Sequence, residues 1–396
     1  MSDTCTPDPT PNWVGAWYAA PIHMRPAGLT GRTLRQIVHL HAGGEQIRLR
    51  LSNRYGDRAL TITSVSVGRV LFGLVLQERS VQPVLFHGQE TASIEAGADI
   101  SSDPIHLHVE ALSNLAISFV VAEGDILTGH FVATQTSYVS IPGNFSTATA
   151  EILTAAPTLT ALEEILTAYP LTTTAWWALT GIDVLPEKPP INAVVTLGDS
   201  TTDGYGSTRD TNRRWPDYLA RRLAAAGETP AMSVLNAGIG GNELLAYRTP
   251  LSGEATLHRL AWDALEQPGV TDLIVQIGIN DVRSDASASS IIDGLQQLAT
   301  WAREKHLRVF GTTILPAVYT PEQAVRWQTV NAWIREQGPQ WFDAIFEFAT
   351  ALQHPEGGAK LDPACDSGDG THPNDIGYQR MAEAVDIAQL TGNLSV

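Results

Sequence analysis

Cysteine is almost missing from this chain: Cys5 and Cys365 are its two thiols. Two thiols cannot build a disulfide framework or a four-cysteine zinc site, and their spacing leaves open whether they pair with each other. Positive charge is also scarce, with 25 Lys and Arg against 42 Asp and Glu and a formal net charge of −17. Nucleic acid and anionic membrane surfaces both need basic patches to engage phosphate, so neither is an expected partner. The acidity reads as solubility. No apolar run reaches the roughly 18 residues that a membrane-spanning helix needs. The first residues lack both the basic and the apolar stretch of a signal peptide. On that reading the chain is cytoplasmic as it stands, or an exported protein without its leader. Internal repeats, low-complexity segments and an amphipathic lid with a large apolar face are also missing, and the last absence sets lipids behind small soluble esters as substrates. Oligomeric state leaves no mark in the sequence.

What is present divides in two. A chain of 396 residues, 43% hydrophobic, is too long for one small core and suggests two domains. From about Trp13 to Leu185 the pattern is β. Ile47, Leu49 and Leu51 alternate with Arg48 and Arg50, and similar alternation runs through Thr61–Val67 and Ile105–Val109. Asn53–Asp57 and Glu123–Asp125 read as turns. Many short strands with turns between them predict an all-β sandwich of jelly-roll type over residues 13–187, with one helix within about 148–168. Trp176 and Trp177 are adjacent in a strand and so expected on opposite faces. Pro186-Glu187-Lys188-Pro189-Pro190 reads as a linker, because proline ends both ladders and helices.

Beyond it, over residues 191–396, strand-like runs alternate with helical patterns. The runs are Ala193–Leu197, Val234–Ala237, Asp272–Ile277, Arg308–Ile314 and Ala344–Phe348. Helical spacing appears from Trp215, through Ile291–Ala302, through Ala324–Ile334, and after Pro373. That alternation predicts an α/β fold: a three-layer α/β/α domain around a five-stranded parallel sheet. In such a sheet ligands gather beyond the carboxyl ends of the strands.

Four of those places carry chemistry. Gly198-Asp199-Ser200 hands a serine to a polar turn at the end of the first strand. Its spacing is not the nucleophile elbow, since Thr202 stands where that motif needs glycine. Asn236-Ala237-Gly238-Ile239-Gly240-Gly241-Asn242 follows the second strand, with small residues that let backbone N–H groups approach a ligand. Gly278-Ile279-Asn280-Asp281 follows the third and offers an amide donor. Asp369-Gly370-Thr371-His372 precedes the last helix, and its three-residue step lets a carboxylate reach one imidazole nitrogen while the other faces Ser200. Ser200, His372 and Asp369 are thus the candidate nucleophile, base and orienting acid. The Ser200 and Gly241 N–H groups and the Asn280 amide are the candidate oxyanion donors, with Gly240 the alternative to Gly241.

This ordered set resembles the SGNH hydrolases, the GDSL esterase/lipase superfamily, over about Asn192 to Leu394. Thr201 departs from the family pattern, where leucine is common. Thr208–Asp217 resembles the branch of two-domain bacterial arylesterases and acetyl esterases, and the β-region is similar to the accessory domain of such members. The resemblance implies a serine esterase that needs no cofactor and acts on short acyl esters, acetate first, carried on a small molecule or an acetylated carbohydrate.

Other residues carry competing readings. Asp199, Asp203 and Asp281 read as loop-bonding carboxylates, and Asp362 and Asp366 likewise. With Asn280 and His372, the first three also make a hard-ligand set for a metal-dependent phosphoesterase, although two-metal sites usually draw on more than one histidine. His106 and His108 read as a solvated strand face without a third metal ligand. Trp176, Trp177 and Trp215 read as core or interface packing. Arg213, Arg214, Arg221 and Arg222 read as a solvated helix face, with Arg213 the one that a substrate carboxylate or hydroxyl could use. The β-region is either a glycan-binding module or a wall that shapes the pocket.

Overall fold

The computed structural model describes residues 12–77, 79–149, 159–187, 191–227, 231–284 and 286–392. Cys5, and with it the question of a Cys5–Cys365 bridge, lies outside them, as do Lys188, Pro189 and Pro190 of the linker reading; Cys365 itself is buried.

The N-terminal region is largely antiparallel β-sheet. One sheet has the order Val14–Tyr18, Leu179–Leu185, Gln46–Ser52, Asp99–Ser101, so the first strand of the region pairs with its last. The larger sheet is built on Ser137–Pro142, Arg32–His39, Asn114–Glu123 and Leu60–Phe72. A small third sheet joins Trp176–Trp177, Thr128–His130 and Ile22–His23. Ile47, Leu49 and Leu51 are fully buried and Arg48 and Arg50 are not, as their alternation requires. The expected helix is Leu159–Ala168.

Two strand readings need correction. Alternation does not persist through Thr61–Val67: Ser64 has φ 53° and the register with Asn114–Glu123 shifts there, so Ile62 and Val65 reach the core from either side of a bulge. Ile105–Val109 is not a ladder strand. Isolated bridges hold it at Ile105 and Val109, and Ile105, Leu107 and Val109 still face inward while His106 and His108 are exposed.

The C-terminal region is a five-stranded parallel sheet in the order Ala231–Gly238, Ile191–Gly198, Val270–Gln276, Arg308–Thr312, Ala344–Phe346. In sequence terms that is the doubly wound order 2-1-3-4-5. Right-handed crossovers put the helix after the first strand, Trp215–Ala226, on one face, and Ala288–Glu304 and Pro321–Glu336 on the other. The winding reverses between Ile191–Gly198 and Val270–Gln276, which opens a crevice beyond Gly198.

The two regions meet over a continuous apolar core. Strand Val14–Tyr18 crosses Ala231–Gly238 so closely that a Cβ on Gly15 would lie 2.7 Å from Leu235. Ala19 then bridges to Asn236 at the carboxyl end of that edge strand. The β-region is therefore packed beside the crevice.

Candidate active site

Strand Ile191–Gly198 ends on a glycine because no side chain fits there: a Cβ would lie 2.4 Å from the Gln276 carbonyl and 2.2 Å from Thr202 Oγ1. Asp199, in extended conformation, caps the single helical turn Ser200–Asp203, its Oδ1 accepting from the Thr201 N–H at 3.0 Å. The Thr201 hydroxyl lies 2.8 Å from the same oxygen and 2.6 Å from Gln276 Oε1. Burial, offset in part by the Thr201 hydrogen bonds, pushes the Asp199 carboxyl up to about 6. Gly204, at φ 101°, ends the turn. Ser200 is thus held on a turn fixed at both ends, and its own N–H has no partner among the described residues.

His372 reaches it from the loop before helix Asp375–Glu383. Ser200 Oγ is 2.8 Å from His372 Nε2, and His372 Nδ1 is 2.6 Å from Asp369 Oδ2. An ionised carboxylate only accepts, so Nδ1 carries the hydrogen and Nε2 is left to accept from the serine. Asp369 Oδ1 accepts the N–H groups of Thr371 and His372, both at 2.9 Å. Burial works against the Asp369 charge, but the His372 contact and these backbone bonds together outweigh it and hold its carboxyl below the usual range. The Asp369 side chain is 44% exposed and that of His372 18%. Asp366 accepts the Gly368 and Gly370 N–H groups and Asp362 that of Ala364, so both acids bond the loop rather than the imidazole.

The other two blocks are sewn to each other. Asn280 Nδ2 donates to the Asn242 carbonyl at 2.8 Å, which fixes the amide and leaves its second N–H unengaged. Asp281 accepts from Leu244 and Leu245 N–H, and burial raises its carboxyl despite those bonds. Gly240 N–H is taken by Asp203 Oδ2 at 2.9 Å, whereas Gly241, at φ 75°, has an N–H without a partner among the described residues.

No motif or periodicity marks Arg259, yet it ties the crevice together. Fully buried, it donates to the carbonyls of Gly198 and Ala237, to Asn242 Oδ1 and to Asp263 Oδ2 at 2.8–3.0 Å. Asp263 in turn accepts from the Tyr18 hydroxyl of the β-region at 2.5 Å. Tyr205 is another residue without a motif to mark it; its exposed ring lies 4.5 Å from the His372 ring.

The arginine reading needs correction. Arg214 is buried, paired with Asp217 and donating to the Ala133 carbonyl, and Arg222 donates to the carbonyls of Ala382 and Val385. Arg213 is held by Asp375 at 2.9 Å. Trp215 is core, its Nε1 3.3 Å from Thr202 Oγ1, and Trp176 lies at the boundary with its ring 4.9 Å from that of Trp17. Trp176 and Trp177 are both buried in their short strand. The hard-ligand set does not converge: Asp199 caps its turn, Asp203 faces His130, and Asp281 bonds backbone. Among the described residues no group of three or more His, Cys, Asp or Glu is arranged to hold a metal ion.

Residues 196–380, which span most of the α/β region, match the model of the GDSL-like lipase/acylhydrolase family. The region's five-stranded parallel sheet is the fold expected of SGNH hydrolases. No curated protein matches the chain. Among solved structures it is similar to a lipase/acylhydrolase from Enterococcus faecalis, at 21% identity over 52% of this chain and 97% of that one, with a TM-score of 0.42. It is also similar to a carbohydrate acetylesterase family member from Sinorhizobium meliloti, at 15% identity over 51% and 100%, TM-score 0.41. A GDSL-like lipase from Bacteroides thetaiotaomicron is a third, at 19% identity over 51% and 88%, TM-score 0.38.

Proposed function

We propose that this chain is a serine esterase that hydrolyses short acyl esters, acetyl esters first, through Ser200, His372 and Asp369. The observation that carries the reading is the unbroken path from Asp369 Oδ2 to His372 Nδ1 at 2.6 Å and from His372 Nε2 to Ser200 Oγ at 2.8 Å.

In this reading the Ser200 hydroxyl gives its proton to His372 Nε2 as Oγ attacks the ester carbonyl. The tetrahedral oxyanion is met by the Ser200 and Gly241 N–H groups and by the free N–H of Asn280 Nδ2. Each such donor is worth about 10²–10³ in rate. The engagement of Gly240 N–H by Asp203 supports Gly241 over Gly240 as donor. Collapse expels the alcohol with the proton from Nε2. Water then gives a proton to Nε2 and attacks the acyl group, and the second collapse frees the carboxylic acid and returns the proton to Oγ. The exposed edge of the Asp369–His372 pair supports water entry at this second stage. The Tyr205 ring lies against the His372 ring, 4.5 Å away, and forms one side of the place where the acyl group would sit.

A chain-length series of nitrophenyl esters, run beside acetylated xylan and acetylated monosaccharides, tests the reading. Turnover is expected to be highest for acetate and to disappear in Ser200→Ala. An S200A variant with half the parent turnover would end the assignment. Residues 12–187 then serve as a wall of the crevice, and titration of the full chain with unsubstituted polysaccharide tests the glycan-binding alternative.

A further inference from the structure

One side chain of the β-region reaches the machinery just described without touching any reacting group. Asp203 closes the helical turn that Ser200 opens. Its Oδ2 accepts the Gly240 N–H at 2.9 Å, one residue before Gly241, and its Oδ1 lies 2.9 Å from His130 Nε2. The turn and the loop are in direct backbone contact: a Cβ on Gly238 would lie 2.1 Å from Asp203 N. Asn236 repeats the tie, donating to the Thr202 carbonyl and accepting from the Gly238 N–H, both at 2.9 Å. Any movement of the Asp203 carboxylate is therefore passed to the Gly240–Gly241 peptide.

His130 is what holds that carboxylate from the far side. It comes from strand Thr128–His130, and its Nδ1 lies 2.9 Å from the Ala20 carbonyl. Both ring nitrogens thus face oxygens that only accept, so both carry hydrogen and the ring is an imidazolium. The side chains of His130 and Asp203 are 5% and 3% exposed. Burial opposes the charge on His130, but the Asp203 carboxylate and the Ala20 carbonyl outweigh it and raise its pKa. Arg214, which stacks on the same Trp176 ring, opposes it too, and His39, His41 and Asp217 line the same small cavity. Val132, two residues on, also lies against the loop, 3.8 Å from the position of a Gly240 Cβ.

We propose that His130 is a positioning residue of the β-region for the oxyanion site: its imidazolium holds Asp203, Asp203 holds Gly240 N–H, and the Gly241 N–H is thereby aimed at the crevice beside Ser200. This rests on the esterase reading. A donor moved by about 1 Å from its working place forfeits most of its effect, and removal of one donor outright lowers kcat about 10²–10³-fold.

The test is a kinetic comparison of the full chain with H130Q, D203N and H41Q on nitrophenyl acetate, with thermal unfolding of each variant. His41 belongs to the neighbouring His41–Asp217 pair, its ring nitrogens facing Val234 and Asp217, and among the described residues it makes no hydrogen bond to the Ser200–Asp203 turn or the Gly240–Gly241 loop. H130Q is expected to lower kcat about 10–100-fold with KM changed by less than about threefold. Affinity for a trifluoromethyl ketone, which forms a tetrahedral adduct on Ser200, should fall by the same factor as kcat/KM, while affinity for the unreactive methyl ketone stays. D203N should show the same pattern, the double variant should lose no more than the worse single, and H41Q should lose stability but keep kcat. A folded H130Q with kcat within twofold of the parent overturns the proposal, as does an equal loss in H41Q. Should H130Q not fold, D203N decides by the same two affinities. The esterase reading fails separately, through an inactive parent or an active S200A.

Discussion

Among the described residues two kinds of histidine–aspartate pair occur, and they sit in opposite surroundings. His372 and Asp369 are three residues apart on one loop, and the carboxylate is 44% exposed. His130–Asp203 and His41–Asp217 join residues 73 and 176 positions apart across the boundary of the two regions, and all four side chains are 5% exposed or less. An exposed pair gains little stability from its charges, because water screens them. It can change protonation state during a reaction at small cost. A buried pair cannot: removing either partner strands the other in a medium that solvates it poorly. The first arrangement suits proton traffic, and the second suits holding a geometry.

That contrast is broken most sharply at the exposed pair. Asp369→Asn keeps an oxygen for the Thr371 and His372 N–H groups but no longer fixes the imidazole tautomer, so kcat/KM should fall about 10²–10⁴-fold. The free energy of unfolding should move by no more than about 0.5 kcal/mol, as for other surface changes. Stopped assays and urea titration on the same sample decide it; an Asn variant that unfolds readily, or one that turns over normally, would abolish the distinction. Next in size is Asn280→Ala. It removes both the free N–H and the bond to the Asn242 carbonyl, and should lower kcat about 10²–10³-fold with little change in KM.

The same contrast explains what the sequence discloses. The proposed chemistry needs fixed residue types at strand ends and before the last helix, so Gly198, Ser200, Asn280 and His372 stand out one block at a time, and their order along the chain adds force. The parallel sheet is legible for a related reason, since its strands are short apolar runs spaced by helices. The boundary is not legible. Arg259 meets Gly198 from 61 residues away, and His130 and His41 find their acids over longer spans, with no period to reveal them. Charged residues are normally exposed, and that expectation fails for Arg214 and Arg222, whose guanidinium groups satisfy carbonyls at packed edges. Ile105–Val109 misleads differently: its alternation is real, but bridges and not a ladder exploit it.

At the buried pairs the effect should appear in stability instead. Asp217 accepts from His41 Nε2, from the Arg214 N–H and from Arg214 Nη1 at 2.9–3.1 Å. Burial opposes its charge, yet Arg214 and His41 together hold its carboxyl well below the usual range. Asp217→Asn leaves the buried Arg214 guanidinium and the His41 ring facing an amide and should cost about 3 kcal/mol of unfolding free energy, with kcat per folded molecule unchanged. Denaturant titration with active-site counting measures both; loss of kcat without loss of stability would mean that this pair, too, serves the reaction.

The smallest effect concerns pH, and the boundary histidines oppose each other in it. His39 donates through Nδ1 to Asn114 Oδ1 at 2.7 Å, while its buried Nε2 has no hydrogen-bond partner among the described residues. Burial, and then the charge of His41, lower its pKa from 6.5 to about 4. Between those values the unfolded chain binds a proton that folded His39 refuses, so stability falls as pH falls, by at most about 3 kcal/mol in total. His130 has the opposite sign. Its raised pKa contributes stability that is complete below the ordinary histidine value and is lost as pH rises through the raised one. His39→Asn can keep the bond to Asn114 and removes the titration, so its unfolding free energy should fall less steeply than the parent's from pH 6.5 to 4. Parallel curves for the two proteins would mean that the acid sensitivity of the boundary lies with Asp217, whose contribution is lost only as pH falls through the far lower value that Arg214 and the His41 hydrogen bond impose.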